Sequence, residues 1–151
     1  MISSTATYAL RAVTFLASQP DRFVSRSEIS AAGLAPHEYL LKVLHQLDAA
    51  KLVESRRGPG GGYRLRKPAE KLTSLEVVLA VSSIPRITEC PLGIPDHEKL
   101  CPLHQLLDDA SRLVEEAFAK TKISDLLPRK RSQTCEFPKN NPHNQLLPAG
   151  K

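Results

Sequence analysis

The stretch from Val53 to Arg66 constrains the fold more than any other part of the chain. Val53-Glu54-Ser55-Arg56-Arg57 alternates as a half-buried strand does, Gly58-Pro59-Gly60-Gly61-Gly62 follows, and Tyr63-Arg64-Leu65-Arg66 alternates again. No helix runs through such a glycine–proline segment, so the stretch predicts a β-hairpin with a flexible tip and arginines on both legs. Glycines at the tip, Gly60 among them, let backbone N–H groups approach phosphates, and an arginine such as Arg57 can enter a minor groove. A nucleotide-binding loop is excluded by spacing. No Gly-Lys-Ser/Thr follows, and the glycines open onto a strand instead of a helix.

The chain before the hairpin reads as three helices. Thr5 to Ser18 places Ala6, Ala9, Val13 and Leu16 on one stripe, with Ser3, Ser4 or Thr5 as caps and Pro20 as the stop. Ser25 with Glu28 three residues later is a capping-box signature, opening a second helix that runs to about Ala32 before Gly33. The third helix, from Pro36 to Ala50, has Leu40, Val43, Leu44 and Leu47 at core spacing. At about 100° per residue, Glu38, Lys42, His45 and Ala49 take the opposite face, with Tyr39 and Gln46 on a flank. An outer face of this kind suits a helix lying in a major groove of DNA, although by itself it is equally an ordinary solvated face. Helices followed by a basic hairpin predict a mainly α fold with a small β-hairpin wing: a winged helix-turn-helix.

Charge agrees once it is divided along the chain. The 151 residues carry a net charge of +5. Residues 1–67 hold ten Lys/Arg against five Asp/Glu, residues 68–127 six against ten, and residues 128–151 five against one. A basic reading head, an acidic middle and a basic tail point to nucleic acid more than to general solubility. The three segments are also the expected domains: a DNA-binding region, a cysteine loop with a dimerisation helix, and a tail rich in proline and read as disordered. No apolar run reaches the roughly 20 residues of a membrane span. The start lacks the marks of a signal peptide, and three cysteines suit a reducing compartment, so a cytoplasmic protein with no membrane partner is expected.

Leu100 to Thr121 predicts a long amphipathic helix. Leu103, Leu106, Ala110, Leu113 and Ala117 step by three and four as in a coiled-coil seam, and Leu107, Val114 and Phe118 form a second line. One line can pack on the chain's own domain while the other meets a second copy. No Ser/His/Asp or Cys/His arrangement sits on a catalytic frame, so no enzyme is expected.

The runs TYALRAVTFLA, EYLLKVLHQLDAAKLVESRRGPGGGY, LTSLEVVLAV and ECPLGIPDHEKLCPLHQLLDDA together resemble the IscR/NsrR/RirA family of Rrf-type winged-helix transcriptional regulators. The resemblance covers about residues 1–127. It implies a homodimer on pseudo-palindromic double-stranded DNA, acting here as a repressor and sensing iron–sulfur, nitric oxide or redox state through a cysteine loop. It implies DNA contacts from Glu38, Tyr39, Lys42 and His45 on the third helix and from Arg57 and Gly60 at the wing. Leu41 stands where some members carry a polar base-reading residue, so the operator cannot be copied from a relative.

Cluster-binding members carry three cysteines in the loop. This chain has Cys90 and Cys101 there, with Asp96, His97 and Glu98 where the middle cysteine would fall and no Asp or Glu among residues 1–20. Several readings stand open. A 2Fe–2S cluster can use Cys90, Cys101, His104 and His97 as a fourth ligand, two thiolates with two imidazoles being a known set. Zinc can take the same four. Cys90 and Cys101 can form a switching disulfide, or both can be inert. The tail cysteine, Cys135, is set aside as a bystander.

Overall fold

The computed structural model describes residues 2–32, 34–91 and 100–128. Gly33, His97, Cys135 and the tail from Arg129 onward lie outside the described residues.

Three helices come first: α1 (Ser4–Ala17), α2 (Arg26–Ala31) and α3 (His37–Ala49). Ser3 caps α1 through its hydroxyl, which accepts from the Ala6 N–H at 3.1 Å. Ser25 and Glu28 close the capping box of α2 as the spacing predicts. The helix α3 begins one residue later than expected. Pro36 is its N-cap, and the Pro36 carbonyl accepts from the N–H groups of Tyr39 and Leu40. Leu40, Val43, Leu44 and Leu47 are fully buried, so the stripe read from sequence is the face that packs on α1.

The hairpin comprises β1 (Val53–Arg56) and β2 (Gly62–Leu65), paired antiparallel with Val53 opposite Leu65 and Glu54 opposite Arg64. Its tip is a hydrogen-bonded turn in which Gly61 N–H donates to the Gly58 carbonyl at 2.9 Å. Pro59 in the second place and Gly60 at φ 70° in the third are the residues a type II turn demands. A third backbone segment joins the wing: Val24 and Tyr63 exchange two backbone hydrogen bonds of 2.9 and 2.8 Å. A single bridging residue has no periodicity, so the sequence gives no sign of it. The approach is close enough that a Cβ on Gly62 would sit 2.2 Å from the Val24 carbonyl oxygen.

After a short 3₁₀ turn at Ala69–Lys71 come α4 (Ser74–Val81), α5 (Pro102–Lys120) and a last 3₁₀ turn at Ile123–Leu126. The core crosses the boundary at residue 67. Leu72, Val77 and Ile123 are buried in the same cluster as Leu16, Leu40 and Leu44, so residues 1–67 do not close a core by themselves. Buried Ser74 fastens the far end of α5, its hydroxyl donating to the carbonyls of Phe118 and Thr121 at 3.0 and 2.9 Å. The Ile123 N–H then donates to the Leu72 carbonyl at 2.9 Å, returning the chain to the core.

Candidate nucleic-acid interface and cysteine site

On α3, Glu38, Lys42, His45 and Ala49 are all exposed, as the helical spacing predicts. Tyr39 on the flank is 49 % exposed and leans on Tyr8 of α1, ring centroids 6.2 Å apart and planes tilted by 51°. Between α3 and the wing lies an open cleft of about 400 Å³ whose walls include Arg26, His45, Asp48, Ser55, Arg56, Arg57 and Gly58. Structure therefore brings His45 and Arg57 to one cleft. Lys42 and Glu38 stand on the same face of α3, three and seven residues before His45, and Gly60 stands at the exposed wing tip.

The wing arginines divide by partner. Arg64 Nε donates to Glu54 at 2.8 Å, and its guanidinium lies 4.7 Å from the centre of the Phe23 ring. Arg56 lies over the same ring at 5.9 Å. Arg66 donates to the Val53 carbonyl at 2.8 Å and approaches Asp48 at 3.8 Å. Among the described residues Arg57 has no hydrogen bond, ion pair or ring contact, and it is exposed. Its charge is thus available to an outside anion.

Two contributors were invisible in the motif. Arg26 enters the cleft from the first turn of α2, where the positive end of the helix dipole disfavours a cation. That mismatch was the available signal. Phe23 lies under Arg56 and Arg64 from a loop well before the hairpin in the chain, and nothing local announces it.

The second site gathers at the head of α5. Cys101 is the N-cap of this helix, and Pro102 takes its first position, where the missing N–H is harmless. Cys101 Sγ lies 3.2 Å from His104 Nδ1, and Cys90 Sγ lies 3.8 Å from the same nitrogen. Both cysteines are half-buried free thiols. The segment that delivers Cys90 is pinned to α5 by Arg86, which donates from Nε and Nη2 to the two oxygens of Asp108 at 2.7 and 2.8 Å. Ile87 N–H adds a third bond to Asp108 at 2.9 Å, and Arg86 Nη1 reaches Glu115 at 3.3 Å. Asp108 is the one buried residue of α5. The Arg86 guanidinium first, and then the Ile87 N–H, hold its carboxyl down to about 2.

Cys90, Cys101 and His104 therefore lie close together, while His97 lies outside the described residues. Their fit to a metal or cluster is incomplete. Both sulfurs approach one ring nitrogen, so the donors point at each other and not at a common point. Among the described residues no group of three or more His, Cys, Asp or Glu is arranged to hold a metal ion. Three donors of the four that a 2Fe–2S centre requires are present, in hydrogen-bonding geometry.

Comparison with known proteins bears on the whole arrangement. The Rrf2 family model, described as "Iron-dependent Transcriptional regulator", matches residues 2–129. A chain of Aquifex aeolicus named as an HTH-type transcriptional regulator is 30 % identical over 132 residues, covering 84 % of this chain and 91 % of its own length. One from Rhodopseudomonas palustris, named as the HTH-type transcriptional regulator BadM, is 35 % identical over 118 residues, 78 % of this chain and 75 % of that one. Among solved structures, CymR, the global cysteine regulator of B. subtilis, superposes with a TM-score of 0.70 at 23 % identity, over 83 % of this chain and 95 % of CymR. IscR of T. potens superposes with a TM-score of 0.68 at 19 % identity, over 83 % and 85 % of the two chains. Among the described residues no helix is long and apolar enough to cross a membrane. A winged helix with an open cationic cleft, matched along most of its length by regulators, has one reading: the chain belongs to the Rrf2 family and is a DNA-binding transcriptional regulator.

Proposed function

We propose that the protein is a homodimeric repressor that binds pseudo-palindromic double-stranded DNA and adjusts its affinity through the Cys90–Cys101–His104 site. The observation that carries the DNA reading is the unpaired Arg57 facing His45 across one cleft. A cation with no partner among the described residues, beside a turn with little side-chain bulk, fits a minor groove, while the exposed face of α3 fits the major groove beside it. Lys42 and His45 then meet base edges or phosphates. Glu38 is placed to accept from cytosine N4, Tyr39 flanks the contact, and the backbone at Gly60 approaches phosphate.

Dimerisation is supported by α5. Leu103, Leu106 and Leu113 are each about 60 % exposed, an expensive display of apolar surface unless a second copy covers it. Two-fold symmetry sets two recognition helices about one DNA turn apart, hence the inverted repeat. Selection from random duplex DNA tests this directly. An inverted repeat is expected, bound with a log–log salt slope of about −0.9 per neutralised phosphate. Recovery of no preferred sequence would overturn the reading, and transcription in vitro from a template carrying the site checks the direction.

At the cysteine site the hydrogen-bonding geometry favours a thiol switch. Cys90 and Cys101 lose two protons and two electrons to a two-electron oxidant and join as a disulfide. The second reading, a 2Fe–2S cluster on Cys90, Cys101, His104 and His97, is favoured by the nearness of three of these side chains and by the family's iron-dependent description. Anaerobic purification with absorption spectra and iron and zinc analysis separates the two. Equal operator affinity of Cys90→Ser and the unchanged protein, reduced and oxidised, would remove both.

A further inference from the structure

The helix α5 presents three lines of side chains at about 100° per residue. Leu103, Leu106, Ala110, Leu113 and Ala117 make the exposed apolar line. Leu107, Val114 and Phe118 lie beside it. On the far side Cys101, His104, Asp108 and Glu115 share one face, and the segment from Arg86 to Cys90 lies against that face. His104 and Asp108 are four residues apart and therefore stacked on consecutive turns. Arg86 and Cys90 are also four residues apart, and each meets the corresponding member of the helix pair: Arg86 meets Asp108, Cys90 meets His104.

The two contacts differ in strength. The thiol–imidazole contact of Cys90 is long, at 3.8 Å. The Arg86–Asp108 contact is a fork of two charge-assisted bonds at 2.7 and 2.8 Å, on a carboxylate that also accepts the Ile87 N–H. A bidentate pair fixes direction as well as distance. Cys90 alone has too little to hold it at the helix head, so the register of the segment must come from the fork.

We propose that Arg86 and Asp108 are positioning residues for the cysteine site: their bidentate pair, with the Ile87 N–H, sets Cys90 against Cys101 and His104 before any oxidant or metal arrives. The proposal rests on the reading of that site as the functional one, and it concerns how the site is assembled. In physical terms the clamp supplies effective concentration, converting an encounter between two thiols into a reaction between neighbours.

Bridging of the two thiols tests it. The full-length protein with Cys135→Ser is reduced and treated with dibromobimane, which alkylates one thiol and becomes strongly fluorescent on closing a bridge to a second. The rate of first alkylation reports thiol access, and the rate of bridge closure reports proximity. Arg86→Gln and Asp108→Asn are each expected to slow closure about tenfold with first alkylation changed less than about twofold, and the double variant to be no slower than either single one. Lys120→Gln, at the other end of α5 and paired with Glu116, is expected to leave both rates unchanged. Arg86 is a surface residue, so Arg86→Gln remains informative if Asp108→Asn fails to fold. Closure at the unchanged rate in Arg86→Gln, or single effects that multiply in the double variant, would overturn the proposal. Operator affinity of bridged and unbridged protein is read separately. If it is equal in both, the sensor reading fails while the clamp stands.

Discussion

Arg57 and Arg64 carry the same side chain on opposite legs of one hairpin and face different demands. Glu54 and the ring of Phe23 occupy Arg64, whereas Arg57 is left for an outside anion. Sequence alone shows four arginines on the hairpin and not which are engaged. The partner Glu54 becomes legible only once the register sets it opposite Arg64, and Phe23 is not legible at all. Arg57→Ala is expected to weaken operator binding by about 10- to 100-fold and to reduce the salt slope by about 0.9. Arg64→Ala should act more on folding than on that slope, and fluorescence anisotropy across a salt series distinguishes them. Gly62 gives a second residue-level test. With φ at 146° and Val24 against it, Gly62→Ala is expected to cost about 2 kcal/mol in urea unfolding, by forcing apart the Val24–Tyr63 bridge.

Elements were legible where a period or a cap announced them. The stripe of α3 and the box opening α2 follow from spacing. The box opening α4, Thr73 with Glu76, carries the same signature and forms the same bonds. These boxes make stability depend on acid. Glu28 is lowered to about 2 by the Ser25 N–H and then Arg22, and Glu76 to about 2 by Lys67 and then the Thr73 N–H. The folded state holds these carboxylates ionised more firmly than the unfolded chain does. Their contribution is therefore complete above about pH 4.5 and is lost as pH falls toward 2. Both side chains are more than a third exposed, so each is worth no more than about 1 kcal/mol. Urea midpoints should be flat near neutrality and fall below about pH 4.5, with part of that fall removed in Ser25→Ala. The periodicity of α5 was equally plain, but the sequence did not tell which of its two apolar lines packs inward. Exposure separates them along most of their length: Val114 and Phe118 are half-buried, whereas the Leu103–Ala117 line is open, as is Leu107 at the start of the second line. Leu106→Glu with Leu113→Glu is expected to convert a dimer to a monomer at micromolar concentration in analytical ultracentrifugation while the helix content is kept.

At the scale of the molecule, the division at residue 67 describes the charge but not the core. Ile123 follows α5 and is fully buried beside the helices of the first segment. Ile123→Ala is expected to cost about 2–4 kcal/mol and to lower a single cooperative unfolding transition, seen alike by far-ultraviolet circular dichroism and by tyrosine fluorescence. Such closure was hidden because a lone isoleucine in a polar run has no pattern to reveal it. The fastening of α5 by Ser74 follows the same logic and carries a mechanical consequence. With its last turn fixed to the core and its first residue at the cysteines, the helix is a lever about 28 Å long, pivoted at one end. A shift of about 3 Å at the thiol end is a swing of about 6° over that length. In the proposed dimer, where the apolar line of the same lever meets a second copy, the swing would be carried to the angle between two reading heads, and a few ångströms of sulfur chemistry would become a misfit against a rigid duplex.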